Sequence, residues 1–205
     1  MQMNVALIGA TGNIGTKILA ELVSRGHMVT AIARNPEKLS PSTNVKVVAA
    51  DAADPATLAG ALRGHDAVIS SVPFAPGLSE SIIAAVKQSG IKRYIMVGGA
   101  GSLEVAPGKM LKETLTLPEP IKKILDEAAA ILGRLRGEHE LEWTFFSPAA
   151  EIGPGERTGK FRLGGDQLVT DANGKSRISY DDYAIALVDE LERGQHIRKR
   201  FTIAY

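Results

Sequence analysis

Gly9-Ala10-Thr11-Gly12-Asn13-Ile14-Gly15 spaces its glycines as G-x-x-G-x-x-G directly after the apolar run Val5–Ile8. A chain that turns sharply out of a strand, lays its backbone against a pyrophosphate and packs a new helix on the same sheet has little room for a Cβ at those points. The helix that opens there offers free N–H groups and the positive end of its dipole. With 21 glycines in the chain, such a spacing recurs by chance, so the context has to decide. A strand precedes it. An amphipathic helix follows from about Asn13 to Arg25, with Ile14, Ile18, Leu19 and Leu22 on one face, and Met28–Ala33 closes a βαβ unit. Gly9, Thr11, Gly12, Asn13, Ile14 and Gly15 are therefore the expected contacts to a dinucleotide.

The same rhythm continues outward. Val45–Ala50 reads as a third strand, Asp54-Pro55 as an N-cap with proline at the first helical position, and Leu58 and Leu62 as that helix's apolar face before Gly64. Ala67–Val72, a helix over Ser79–Ser89 ending at Gly90, and Tyr94–Val97 complete the next units. Beyond Gly98 the pattern loosens. Residues 102–117 read as a loop over the site, Glu119–Glu138 as a long helix, Trp143–Phe146 as strand six and Ser147–Ser179 as irregular structure. Ser179 and Asp182 form a capping-box pattern for a helix running to Arg193, and Phe201–Ile203 reads as a last strand. The expectation is a doubly wound, Rossmann-type α/β parallel sheet over residues 1–205. Segments 102–117 and 147–179 are expected to make a small irregular lobe on the substrate side.

The strand ends carry the remaining candidates, because ligands of an open α/β sheet bind beyond the carboxyl ends of its strands. An acidic residue at the end of strand two suits a ribose diol, and an arginine suits a 2′-phosphate. This chain has Arg34 there and Lys38 close behind, so NADP(H) is favoured over NAD(H). Asp51, followed by Ala52, stands where a carboxylate accepts from an adenine amino group, although a turn aspartate is an equal account. Ser70, Ser71 and Val72 end strand four, where the nicotinamide-side ribose is expected.

Composition narrows the classes. A formal net charge of +1 gives no electrostatic reason to expect nucleic acid or an anionic membrane as partner. The absence of cysteine excludes disulfides, thiolate nucleophiles and cysteine-ligated metals. His27, His65, His139 and His196 have no ligand spacing, so no metal is expected. Met1-Gln2-Met3-Asn4 leads straight into a strand with no leader pattern, and a cytoplasmic protein is the expectation. Arg198-Lys199-Arg200 reads as a solvated basic edge, and whether the chain forms a homo-oligomer is left open.

The glycine turn followed by Ala33-Arg34-Asn35-Pro36-Glu37-Lys38-Leu39 resembles the atypical short-chain dehydrogenase/reductase superfamily, in its NAD(P)H-binding, NmrA-like branch. Val97–Leu103, Trp143–Ala149, Gly153–Lys160 and Ile178–Ala184 are similar to the group named NADH-flavin reductases. The resemblance implies a backbone at Gly98, Gly99, Ser147, Pro148 and Ala149 that borders the nicotinamide. Most of that wider superfamily moves a proton with a Tyr-x-x-x-Lys pair. Tyr94, Tyr180, Tyr183 and Tyr205 all lack a lysine four residues on. Hydride transfer to a flavin or a similar planar acceptor survives that loss, since it needs two flat rings stacked at reacting distance. Gly98–Gly101 then lets backbone approach the acceptor, and Ser102 is the candidate hydrogen-bond donor. An NADP-sensing regulator without turnover, and a reductase or isomerase of another small metabolite, are the alternative readings.

Overall fold

In this computed structural model, which describes residues 2–205, one eight-stranded sheet runs through the chain. Its strands are β1 (Asn4–Ile8), β2 (Met28–Ala33), β3 (Val45–Ala49), β4 (Ala67–Ser70), β5 (Arg93–Val97), β8 (Glu142–Ser147), β10 (Arg162–Gly164) and β12 (Lys199–Ala204). Their spatial order is β10-β12-β8-β5-β4-β1-β2-β3. Every neighbouring pair is parallel except β10 against β12. From β1 the chain winds outward to β2 and β3, then returns to β4 on the other side of β1. That reversal places a topological switch point between the carboxyl ends of β1 and β4.

Both faces of the sheet are covered, so β1 reads as unbroken apolar sequence rather than as an alternation. Val5 and Leu7 face α1 (Asn13–Ser24) and α5 (Tyr180–Arg193), packing with Ile18, Leu22 and Leu187. Ala6 and Ile8 face the other layer, which holds α2 (Pro55–Leu62), α3 (Leu78–Ser89) and α4 (Glu119–Arg136) and contributes Leu58, Ile82 and Ile131. Phe146 of β8 stacks between Tyr183 and Phe201 at centroid distances of 4.2 and 4.0 Å. The Tyr183 hydroxyl donates to the Phe146 carbonyl at 2.6 Å, which fixes α5 to the sheet.

The two segments expected to be irregular contain short strands. Glu104–Ala106 (β6) pairs antiparallel with Lys109–Met110 (β7), and Glu151–Gly153 (β9) pairs parallel with Arg177–Ser179 (β11). The basic edge at 198–200 is solvated at Arg198 and Lys199 but not at Arg200. Arg200 is 8% exposed, and its guanidinium binds Asp166 and Ser102, while Arg198 donates to the carbonyls of Leu141 and His139. Only half of the expected capping box forms. Asp182 N donates to Ser179 Oγ at 3.0 Å, but the Asp182 carboxylate turns away from the helix start.

That carboxylate is buried and accepts from Thr158 N, Thr158 Oγ1, Gly159 N and the Tyr205 hydroxyl at 2.7–2.9 Å. Arg157 in the same loop binds Glu21 of α1 at 2.6 Å. Residues 157–159 thus strap α1 to α5 across the back of the sheet. Burial raises the Asp182 carboxyl, but its hydrogen-bond donors outweigh that and hold it below the usual aspartate range. Its stabilising contribution is therefore full above about pH 4 and is lost as the pH falls through the folded-state value. Asp182→Asn is expected to cost about 2–4 kcal/mol in urea melts at pH 7. The gap to wild type should narrow from pH 7 toward pH 2, and a gap independent of pH would contradict this assignment.

Candidate functional site

A cleft of about 700 Å³ opens at the switch point, at the carboxyl ends of β1 to β4. From the β1 end come Gly9, Thr11 and Gly12; from β2, Ala33 and Arg34; from β3, Asp51, Ala52 and Ala53. Ser71 and Val72 follow β4, and the loop Pro73–Leu78 closes the wall. Sequence reading placed eight of these positions in the site and missed the 73–78 loop, whose signal was Pro73, Pro76 and Gly77 directly after strand four.

The three turn glycines have three different causes. Gly9 has φ +83°, and a Cβ there would fall on the Ser71 carbonyl. A Cβ on Gly15 would fall on the Gly9 carbonyl, where α1 crosses the end of β1. Both are demanded by the protein's own packing. Gly12 is not: its φ is −75°, and a Cβ would make ordinary contacts of 3.5 and 3.9 Å with the carbonyl oxygens of Gly9 and Ser71. It lies on the cleft lining with nothing of the protein pressed against it. A bare position at that point is what close approach of a diphosphate requires.

The donors for such an anion are adjacent. Gly12 is the N-cap of α1 and provides no side-chain cap, so the amides of Asn13, Ile14 and Gly15 meet no acceptor among the described residues. Asn13, Ile14 and Gly15 therefore offer free backbone amides next to Gly12, and none of them is on the cleft lining. Arg34 is exposed at the rim with no carboxylate partner among the described residues. Lys38 is exposed on the following 3₁₀ turn, Pro36–Lys38, and is not part of the cleft lining. Asp51 caps its own turn by accepting from Ala53 N at 2.9 Å, which leaves its second oxygen for an outside donor. The described residues therefore bring free backbone amides, one guanidinium and one carboxylate to a single cleft.

Several expected contacts lie elsewhere. Ser70 Oγ shares a buried 2.8 Å hydrogen bond with the Tyr94 hydroxyl, and Ser147 Oγ donates to the Gly99 carbonyl at 2.9 Å. Pro148 and Ala149 follow Ser147 outside the cleft lining, with Ala149 in the core and the Pro148 carbonyl accepting from Thr202. Ser102 is 8% exposed and accepts from Arg200 at 3.2 Å, so its hydroxyl braces the segment around 102 rather than opening on the cleft. The glycines at 98–101 answer to internal packing: a Cβ on Gly98 would strike the Phe145 ring, one on Gly99 would stand 3.2 Å from Ala128 Cβ, and one on Gly101 3.1 Å from Leu125. The two fully buried tyrosines, Tyr94 and Tyr183, are pushed up by burial and do not reach the cleft. Arg34 and Asp51 are the titratable side chains on its lining.

Gly12→Ala is expected to fold with an unchanged melting temperature and to weaken NADP⁺ binding by about tenfold or more in calorimetry, Gly12→Val more so. Gly15→Ala, whose Cβ has no space, should lower the melting temperature. Equal stability loss in the two alanine variants, with nucleotide affinity retained in Gly12→Ala, would show that the site lies elsewhere.

Comparison with known proteins agrees with this geometry. A family model described as NAD(P)H-binding matches residues 9–193. The chain is similar to three solved structures. A proposed exported protein of Burkholderia pseudomallei is 46% identical, covers 100% of both chains and has a TM-score of 0.89. A proposed epimerase of Bacteroides thetaiotaomicron is 43% identical over 100% of this chain and 98% of its own, with a TM-score of 0.93. A proposed NADH-flavin reductase of Streptococcus pneumoniae is 38% identical over 98% of this chain and 99% of its own, with a TM-score of 0.85. No helix among the described residues is long and apolar enough to cross a membrane. The chain belongs to the NAD(P)H-binding family.

Proposed function

We propose that the protein is an NADPH-dependent reductase of a flat acceptor such as a flavin, working in the reducing interior of the cell. The observation that carries the reading is the bare Gly12 beside uncapped amides and the unpartnered Arg34, a set that fits a phosphorylated dinucleotide. When bound, the nucleotide supplies a hydride; the acceptor gains two electrons, and its accompanying proton comes from water. The protein's own part is positional. The α1 amides hold the diphosphate, Arg34 grips the 2′-phosphate, Asp51 orients adenine, and the 73–78 loop shields the cleft from solvent.

The absence of a tyrosine or lysine from the cleft lining supports an acceptor that needs no dedicated acid. The pneumococcal relative, described as a proposed NADH-flavin reductase, points the same way. The same absence favours a second reading, an NADP-sensing regulator that binds the nucleotide and turns nothing over. Following 340 nm absorbance with NADPH and FMN, FAD or riboflavin separates the two. Oxidation above the uncatalysed rate is expected, and tight NADPH binding without any would favour the sensor.

The cofactor preference has its own test. Losing a charge-assisted grip on a phosphate is expected to weaken NADPH about 10–100-fold in Arg34→Ala while leaving NADH nearly unchanged. Equal losses for both nucleotides would remove the preference.

A further inference from the structure

Most of the large apolar side chains that this protein leaves exposed fall in one stretch: Val105, Met110, Leu115, Ile121 and Ile124. The last two belong to α4. At 100° per residue, Ile121 and Ile124 lie on the same stripe as Ala128, Ile131, Leu132 and Leu135. Those four are at most 3% exposed, whereas Ile121 and Ile124 are 43% and 40% exposed. The stripe keeps its direction; the body beneath it ends.

The place where it ends determines what it faces. Gly99 and Gly101, just past the carboxyl end of β5, face α4, where an added Cβ would stand 3.2 Å from Ala128 and 3.1 Å from Leu125 respectively. At about 1.5 Å per residue, Ile124 and Ile121 therefore reach ~6 and ~10 Å beyond the level of Ala128. A Cβ on Gly99 would also stand 3.8 Å from the Phe74 ring. Phe74 lies between Pro73 and Ala75, which both line the cleft. The uncovered stripe thus overhangs the strand ends beside the cleft, with the 73–78 loop as the opposite wall. The lysines of the same turn, Lys122 and Lys123, project from the other sides of the helix, and Lys122 is paired with Glu119 at 3.0 Å.

We infer that Ile121 and Ile124, with Leu125 behind them and Phe74 opposite, form the contact surface for the acceptor and select a flat, uncharged aromatic ring. The inference rests on the reductase reading above. It explains why a helix start above the strand ends carries two bare isoleucines, while the cleft lining holds no proton donor beyond Arg34 and hydroxyls. An aromatic ring laid on this wall would bury both isoleucines against its face.

The test uses the full chain saturated with NADP⁺, so that no turnover occurs, and reads riboflavin binding by fluorescence quenching. Because both isoleucines are exposed, Ile121→Glu and Ile124→Glu should fold. Each is expected to raise the riboflavin dissociation constant by about tenfold, with NADP⁺ affinity unchanged and Ile124→Leu close to wild type. Unaltered riboflavin affinity in both glutamate variants overturns the inference, as does a wild type that binds no riboflavin. A sedimenting dimer that both substitutions dissociate, with riboflavin affinity intact, overturns it too and assigns the surface to a second copy. Steady-state NADPH oxidation is read separately. Riboflavin held at the isoleucines without oxidation refutes the reductase reading and leaves the surface standing. Oxidation with an unchanged riboflavin KM in the variants does the reverse.

Discussion

The first turn of α1 starts with amide groups for which the described residues hold no acceptor, and tight packing around them keeps that end open. Gly15 lies so close to the Gly9 carbonyl, and Gly9 to the Ser71 carbonyl, that neither position has space for a side chain. The end of β1, the start of α1 and the end of β4 are thereby drawn together at the one place where the sheet reverses its winding. An open helix end of this kind leaves strong donors unsatisfied, and an anion is the natural partner for them. Everything attributed to the cleft, from the grip on the diphosphate to the reach of Arg34 and Asp51, is measured from that point.

The rest of the molecule holds α1 at that point from behind. Arg25 near its far end ties Glu21 to Asp189 and Glu192 of α5, and Arg157 reaches Glu21 from the strap. Thr158 and Gly159 in turn bind Asp182. The Gly153–Lys160 stretch, one of the motifs that marks the family resemblance, therefore braces α1 against α5. A preorganised helix end costs less to order on binding than a loop would.

What the sequence could convey depended on how local the cause was. β2 at Met28–Ala33 and α5 ending at Arg193 follow from periodicity within their own residues, and the glycine turn follows from its neighbours on either side. The β9–β11 pair was not legible, because two strands of three residues become a sheet only when distant segments meet. Arg200 looked like a solvated charge because its partners, Ser102 and Asp166, are remote in the chain. The capping box at Ser179 was half right: the local serine acts as expected, while Asp182 found better donors in Thr158 and Gly159. Gly98 to Gly101 illustrate the harder ambiguity. A missing side chain signals close approach without saying what approaches, and here it is Phe145 and α4.

Titrating ¹⁵N-labelled protein with NADP⁺ and following its amide resonances tests the central claim most directly. The account predicts that the largest downfield shifts fall on Asn13, Ile14 and Gly15, with smaller changes at Arg34 and Asp51. Saturable binding that leaves those three amides unmoved, or no binding at millimolar nucleotide, would contradict it.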